Sequence, residues 1–114
     1  MTRGRRGWLN LQRMTLSFTT PCRFRPAHEA YTQSLKAAGV FVTTEWLRPS
    51  STATMLSVRD GARHIQDGPY AASKEQLGGF YVIDVANLDE ALRWAERCPS
   101  ASRGLIELRP SAMG

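Results

Sequence analysis

The chain has 114 residues, is 42% hydrophobic and carries a formal charge of +5, which is the size of one small domain. No apolar run approaches the roughly 18 residues needed to span a bilayer, so no membrane segment is expected. Cys22 and Cys98 are too few for a disulfide framework and lack metal-ligand spacing, so both read as ordinary residues of a reducing, cytoplasmic protein.

The charge is unevenly distributed. Residues 1–25 hold Arg3, Arg5, Arg6, Arg13, Arg23 and Arg25 and no acid, whereas residues 26–114 hold nine basic against ten acidic residues. A nucleic-acid-binding domain spreads basic residues over a folded face. Here they sit in an N-terminal arm, and nucleic acid is not expected as a partner of the body, 26–114. The arm has the Arg-rich, acid-free composition of an organellar transit peptide. A disordered tail, or a true start at Met14, accounts for it more simply.

Met14–Thr20 alternates with period two and predicts a first strand. Pro26 suits the start of a helix, and Ala27–Ala38 follows with Ala27, Tyr31, Leu35 and Ala38 on one stripe, stopped by Gly39. Val40–Leu47 is β-branched and aromatic and predicts a strand, broken by Arg48-Pro49-Ser50-Ser51. Thr52–Arg59 and Ala62–Gln66 flank Asp60-Gly61, the pair a type I′ hairpin turn requires. Asp67-Gly68-Pro69 turns the chain again.

Phe80–Val85 is nearly continuous in apolar character and predicts a central strand covered on both faces. Asn87 is the expected N-cap of a second helix, with Glu90 as its reciprocal capping partner. Asp89 and Glu90 in its first turn, and Arg93 and Arg97 in its last, match the helix dipole. Leu88, Ala91, Leu92 and Ala95 form its expected buried stripe, and Pro99 ends it. Leu105–Arg109 is the last strand, closed by Pro110. The frame is βαββαβ with an extra β-hairpin, the ferredoxin-like α+β pattern, and a chain this short profits from dimerising over a sheet face.

Two places carry candidate chemistry. On the last strand, alternation sets Glu107 and Arg109 opposite Ile106 and Leu108. The apolar pair is expected beneath the helices, which turns Glu107 and Arg109 to the open face. They are either a surface ion pair or a site in which Arg109 presents its fork to a carboxylate or phosphate-like ligand while Glu107 orients it.

The second place is the loop from Asp67 to Gly79. Asp67, Gly68 and Pro69 have sufficient conformational reasons, and Gly78-Gly79 permits a bulge or close backbone approach. A site reading makes Asp67 or Glu75 a general base and Lys74 an electrostatic anchor. His64 lies three residues from Asp67, which on a regular strand puts them on opposite faces. His28, at a helix start, gains nothing from a dipole that favours anions there. Neither histidine is expected to catalyse, and no metal or other cofactor is expected.

The run Asp67-Gly68-Pro69-Tyr70-Ala71-Ala72-Ser73-Lys74-Glu75-Gln76-Leu77-Gly78-Gly79-Phe80 resembles the hallmark of the DGPF-type, YCII-related family of small bacterial α+β proteins. Leu35–Gly39, Leu88–Ala91 and Glu107-Leu108-Arg109-Pro110 are similar to flanking family segments. Tyr70 stands where Phe is usual, and Ala72 replaces the usual Glu, which removes a carboxylate from the loop. The resemblance implies a homodimer of the dimeric α+β-barrel kind, two sheets packed together around a cleft.

The family's biochemical role is poorly defined, and some relatives are thought to use a His–Asp pair. The resemblance implies a binder of a small polar or anionic ligand. Two further readings stay open: an enzyme performing acid–base chemistry on a small organic substrate, and a regulatory partner of the extracytoplasmic-function sigma factors whose genes often neighbour this family. It also implies that Met14–Gly39 is short for the family's opening, which puts the first strand in question.

Overall fold

The computed structural model describes residues 11–19, 25–68 and 77–112. The elements run β1 (Gln12–Phe18), α1 (Arg25–Ala37), β2 (Phe41–Trp46), a 3-10 turn at Ser50–Thr52, β3 (Thr54–Arg59), β4 (Ala62–Asp67), β5 (Gly79–Val85), α2 (Leu88–Arg97) and β6 (Ile106–Pro110). Four strands form one antiparallel sheet in the order β2-β5-β1-β6. With two helices, this is an α+β fold compatible with the ferredoxin-like arrangement. The extra hairpin, β3–β4, forms a separate two-stranded sheet.

The first strand is intact and lies inside the sheet, between β5 and β6. Its period-two pattern decides its faces: Met14, Leu16 and Phe18 are buried, while Arg13, Thr15 and Ser17 alternate with them. On β5 the register turns Tyr81, Ile83 and Val85 to the same side as Leu16 and Met14. These residues join Tyr31 and Leu35 of α1 and Ala91 and Ala95 of α2 in one core. Both helices therefore pack on one sheet face. Phe80, Val82 and Asp84 of β5 share the other face and are only half-buried.

Three sequence expectations shift in detail. The buried face of α1 comprises His28, Tyr31, Thr32 and Leu35, while Ala27 and Ala38 are exposed. The helix is turned so that two polar side chains enter the core, where they find hydrogen-bond partners. On α2, Ala91 and Ala95 are buried, but Leu88 and Leu92 are 53% and 43% exposed. Small residues at the contact bring the helix close to the sheet, and its larger leucines lie off the seam. Pro110 is the last residue of β6 and pairs with Met14, a position open to proline because β6 is an edge strand.

The turn chemistry holds where it is described. Asp60 and Gly61 both have positive φ, 53° and 78°, as a I′ turn demands. Asn87 Oδ1 accepts from the Glu90 amide at 2.9 Å. The Glu90 carboxylate returns to the Ala86 amide at 2.8 Å, one residue before the position a strict capping box uses.

Candidate functional site

Register places four residues side by side on the sheet face away from the helices. Thr15 pairs with Arg109 and Ser17 with Glu107 across β1–β6. The same two β1 residues pair with Val82 and Phe80 across β1–β5. One row thus reads Thr43, Val82, Thr15, Arg109, and the next Glu45, Phe80, Ser17, Glu107. The half-buried Phe80 and Val82 form an apolar floor, with hydroxyls beside them and an arginine at the β6 edge.

Arg109 donates from Nη2 to Glu107 at 2.7 Å, and the two side chains are 73% and 59% exposed. At that exposure the pair adds little to stability, and the guanidinium plane remains accessible. One position further along, Arg13 meets Asp84 through two bonds, Nε to Oδ1 at 2.9 Å and Nη2 to Oδ2 at 3.1 Å. The hydrogen bond to Asp84, and then its charge, hold the Arg13 guanidinium above its ordinary value. Arg13 and Asp84 belong to this face although the sequence reading did not select them. The alternation of Met14, Leu16 and Phe18 carried the signal, since it turns Arg13, Thr15 and Ser17 to the opposite side.

Of the loop candidates for catalysis or ligand binding, Asp67 is described, and it does not lie on this face. Asp67 ends β4, pairs in register with Thr54 and is exposed, so it belongs to the hairpin rather than the four-stranded sheet. His64 lies on the same strand, opposite Ser57, and the regular pairing turns it away from Asp67. Pro69, Tyr70, Ala72, Lys74 and Glu75 lie outside the described residues, as do Cys22 and the arm through residue 10.

Gly68 has φ 92° and its amide donates to Ala53 O at 2.7 Å, closing the hairpin base. The Gly78 amide donates to Phe18 O at 2.7 Å, and its carbonyl accepts from Leu47 N at 2.9 Å. Gly78 thereby ties the ends of β1 and β2 together. Gly79 has no room for a side chain, because an added Cβ would lie 2.6 Å from the Glu45 carbonyl oxygen and run into the Phe18 ring. Glycine at position 79 is required by this close approach.

A second polar cluster lies on the core face. His28 is 1% exposed. Its Nδ1 is 3.1 Å from the Tyr81 hydroxyl and its Nε2 is 3.4 Å from Ser100 Oγ. The Thr32 hydroxyl donates to the His28 carbonyl at 2.8 Å, and the imidazole stacks on Phe18 with centroids 4.9 Å apart. Burial lowers the His28 pKa and raises that of Tyr81. A neutral imidazole between two hydroxyls is a satisfied core group, and at this exposure no substrate reaches it. Cys98 is buried. Among the described residues no group of His, Cys, Asp and Glu could hold a metal ion, and no helix is long and apolar enough to cross a membrane.

The family model for the YCII-related domain matches residues 16–111. The chain belongs to the YCII-related family. It is also 46% identical over 69 residues to an uncharacterized protein of Rhizobium meliloti (strain 1021), a match covering 59% of this chain and 56% of that relative. The YCII-related match takes in everything from the second half of β1 to the end of β6. Of the first strand that the short opening put in question, it takes in only the last three residues, Leu16 to Phe18.

Proposed function

We propose that this YCII-related protein is a homodimeric binding protein that takes a small anionic ligand, a carboxylate or phosphate-like group, on the sheet face away from the helices. Arg109 contacts the anion and Glu107 orients the guanidinium. The observation that carries the reading is the β1–β6 register, which sets Thr15 directly opposite Arg109. It puts a hydroxyl donor beside a guanidinium fork over the Phe80 and Val82 floor.

Arg13 is the weaker candidate for ligand contact, because Asp84 already occupies its fork in a bidentate bond. Since Arg109 also has a carboxylate neighbour, an anion must share the guanidinium, and weak binding is expected for simple probes. A ligand that binds only the folded state raises its melting temperature in proportion to RT ln(1 + [L]/Kd). Inorganic phosphate or malonate should raise the melting temperature of the wild type, and Arg109→Ala should remove that response without lowering the melting temperature of the ligand-free protein. An equal response in Arg109→Ala would contradict the assignment.

A further inference from the structure

The charges on the sheet face away from the helices do not balance. Among the described residues, the four strands turn two arginines, Arg13 and Arg109, and three carboxylates, Glu45, Asp84 and Glu107, to this side. Asp84 engages Arg13, and Glu107 engages Arg109. Glu45 is the odd charge. It is exposed and has no ion-pair partner among the described residues. A plain anion bound at Arg109 leaves this carboxylate uncompensated, whereas a ligand that also carries a cation neutralises it.

Register sets the distance between the two ends. Glu45, Phe80, Ser17 and Glu107 form one row across the sheet. At roughly 4.8 Å per strand, Glu45 and Glu107 stand about 14 Å apart. The Arg109 guanidinium leans into this row, because its Nη2 lies 2.7 Å from Glu107. The half-buried Phe80 lies directly beside Glu45. A ring next to a carboxylate suits an ammonium, which the ring face also attracts, and the apolar floor suits a methylene chain.

We propose that the ligand of this face is an amino-carboxylate, a zwitterion lying across β1 and β5 with its carboxylate at Arg109 and its ammonium at Glu45 over Phe80. The inference rests on the anion assignment at Arg109 and names the class of compound that site takes. Glu107 is the poorer partner for the ammonium, because it already accepts from Arg109. The ligand is therefore long. An α-amino acid holds its two charges too close together to reach both ends. An extended chain of about five methylenes, with a hydrogen bond of about 2.8 Å at each end, covers the gap.

Amide NMR titrations of the full-length chain at neutral pH and constant ionic strength test the arrangement, with 6-aminohexanoate, hexanoate, glycine, acetate and inorganic phosphate as probes. The wild type should bind 6-aminohexanoate about fivefold or more tighter than hexanoate, while glycine should gain nothing over acetate. The formal charge of +5 favours an anion over a zwitterion, so the net field cannot produce this preference. Glu45→Gln should cancel the preference and bind hexanoate and phosphate at least as well as the wild type. Arg109→Ala should lose the response to every probe.

Equal affinity for 6-aminohexanoate and hexanoate, or a preference that survives Glu45→Gln, would overturn the zwitterion and leave the Arg109 anion site standing. A gain for glycine over acetate as large as that of the longer pair would move the ammonium to Glu107 and overturn the Glu45 contact. No saturable shift with any probe, phosphate included, would overturn both the zwitterion and the anion assignment.

Discussion

His28 Nδ1 lies 3.1 Å from the Tyr81 hydroxyl, and both residues are sealed from water at 1% and 0% exposure. The contact joins the first helix to the central strand β5. Removing the phenolic oxygen leaves an imidazole nitrogen buried without that partner. Tyr81→Phe should therefore cost about 1–3 kcal/mol in urea unfolding at neutral pH, despite conserving the ring. A cost within error of zero would mean that the hydroxyl contact adds nothing.

The same contact predicts a pH dependence. Burial lowers the His28 pKa in the folded state, so the unfolded chain takes up the proton first. Its contribution is complete above about pH 6.5, the unfolded value. It is lost as pH falls from there to the lower folded value, with a slope approaching about 1.4 kcal/mol per pH unit. Carboxylates add their own dependence at lower pH, so the comparison is between wild type and His28→Gln. The wild type should lose more stability than the variant on acidification from about pH 7 to pH 5.

Sequence reasoning placed His28 correctly at the start of a helix but gave no sign of its burial. Its ring partners, Tyr81 and Ser100, lie 53 and 72 residues away, and no local pattern reveals them. The error in the buried face of α1 has the same origin, since Thr32 enters the core only because the His28 carbonyl and the Tyr81 hydroxyl are there to meet it. What alternation and turn chemistry encode locally was legible: the faces of β1 and β6, the Asp60-Gly61 turn and the Asn87 cap. The relation of Arg13 to Asp84 depends on strand register across 71 residues, which period-two reading does not supply.

Gly79→Ala should be more harmful than its one added methyl suggests. The new Cβ would sit 2.6 Å from the Glu45 backbone oxygen, and backbone in a paired strand cannot move aside cheaply. A loss of about 1–3 kcal/mol is expected, read as a lower urea midpoint with unchanged m-value. Gly61→Ala is the contrast. Nothing lies within 4 Å of its added Cβ, so its cost reflects only the positive φ and should be about 1 kcal/mol.

Asn87→Ala removes the acceptor of the Glu90 amide and should cost about 1 kcal/mol. Asn87→Ser, which keeps a capping oxygen, should recover most of it. If both variants lose equally, the cap owes its effect to the Glu90 carboxylate on Ala86 rather than to Asn87.

On the open sheet face, Arg13 and Asp84 form a cross-strand pair with bidentate geometry. Arg13 is 45% exposed and Asp84 15%, so solvent screening limits its worth. A double-mutant cycle through Arg13→Gln and Asp84→Asn should give a coupling of about 0.5–1 kcal/mol that shrinks in high salt. A coupling indifferent to salt would point to packing of the arginine stem in place of the charge.

The most direct test of the ligand-binding reading is a two-dimensional amide NMR titration of the full-length chain with inorganic phosphate. The account predicts saturable shifts that cluster on Thr15, Ser17, Glu107 and Arg109, with Arg13 less affected, and their loss in Arg109→Ala. Saturable shifts confined to the hairpin or to the helices would contradict it. So would a spectrum that does not change at phosphate concentrations of about 50 mM, well above the range of weak specific binding.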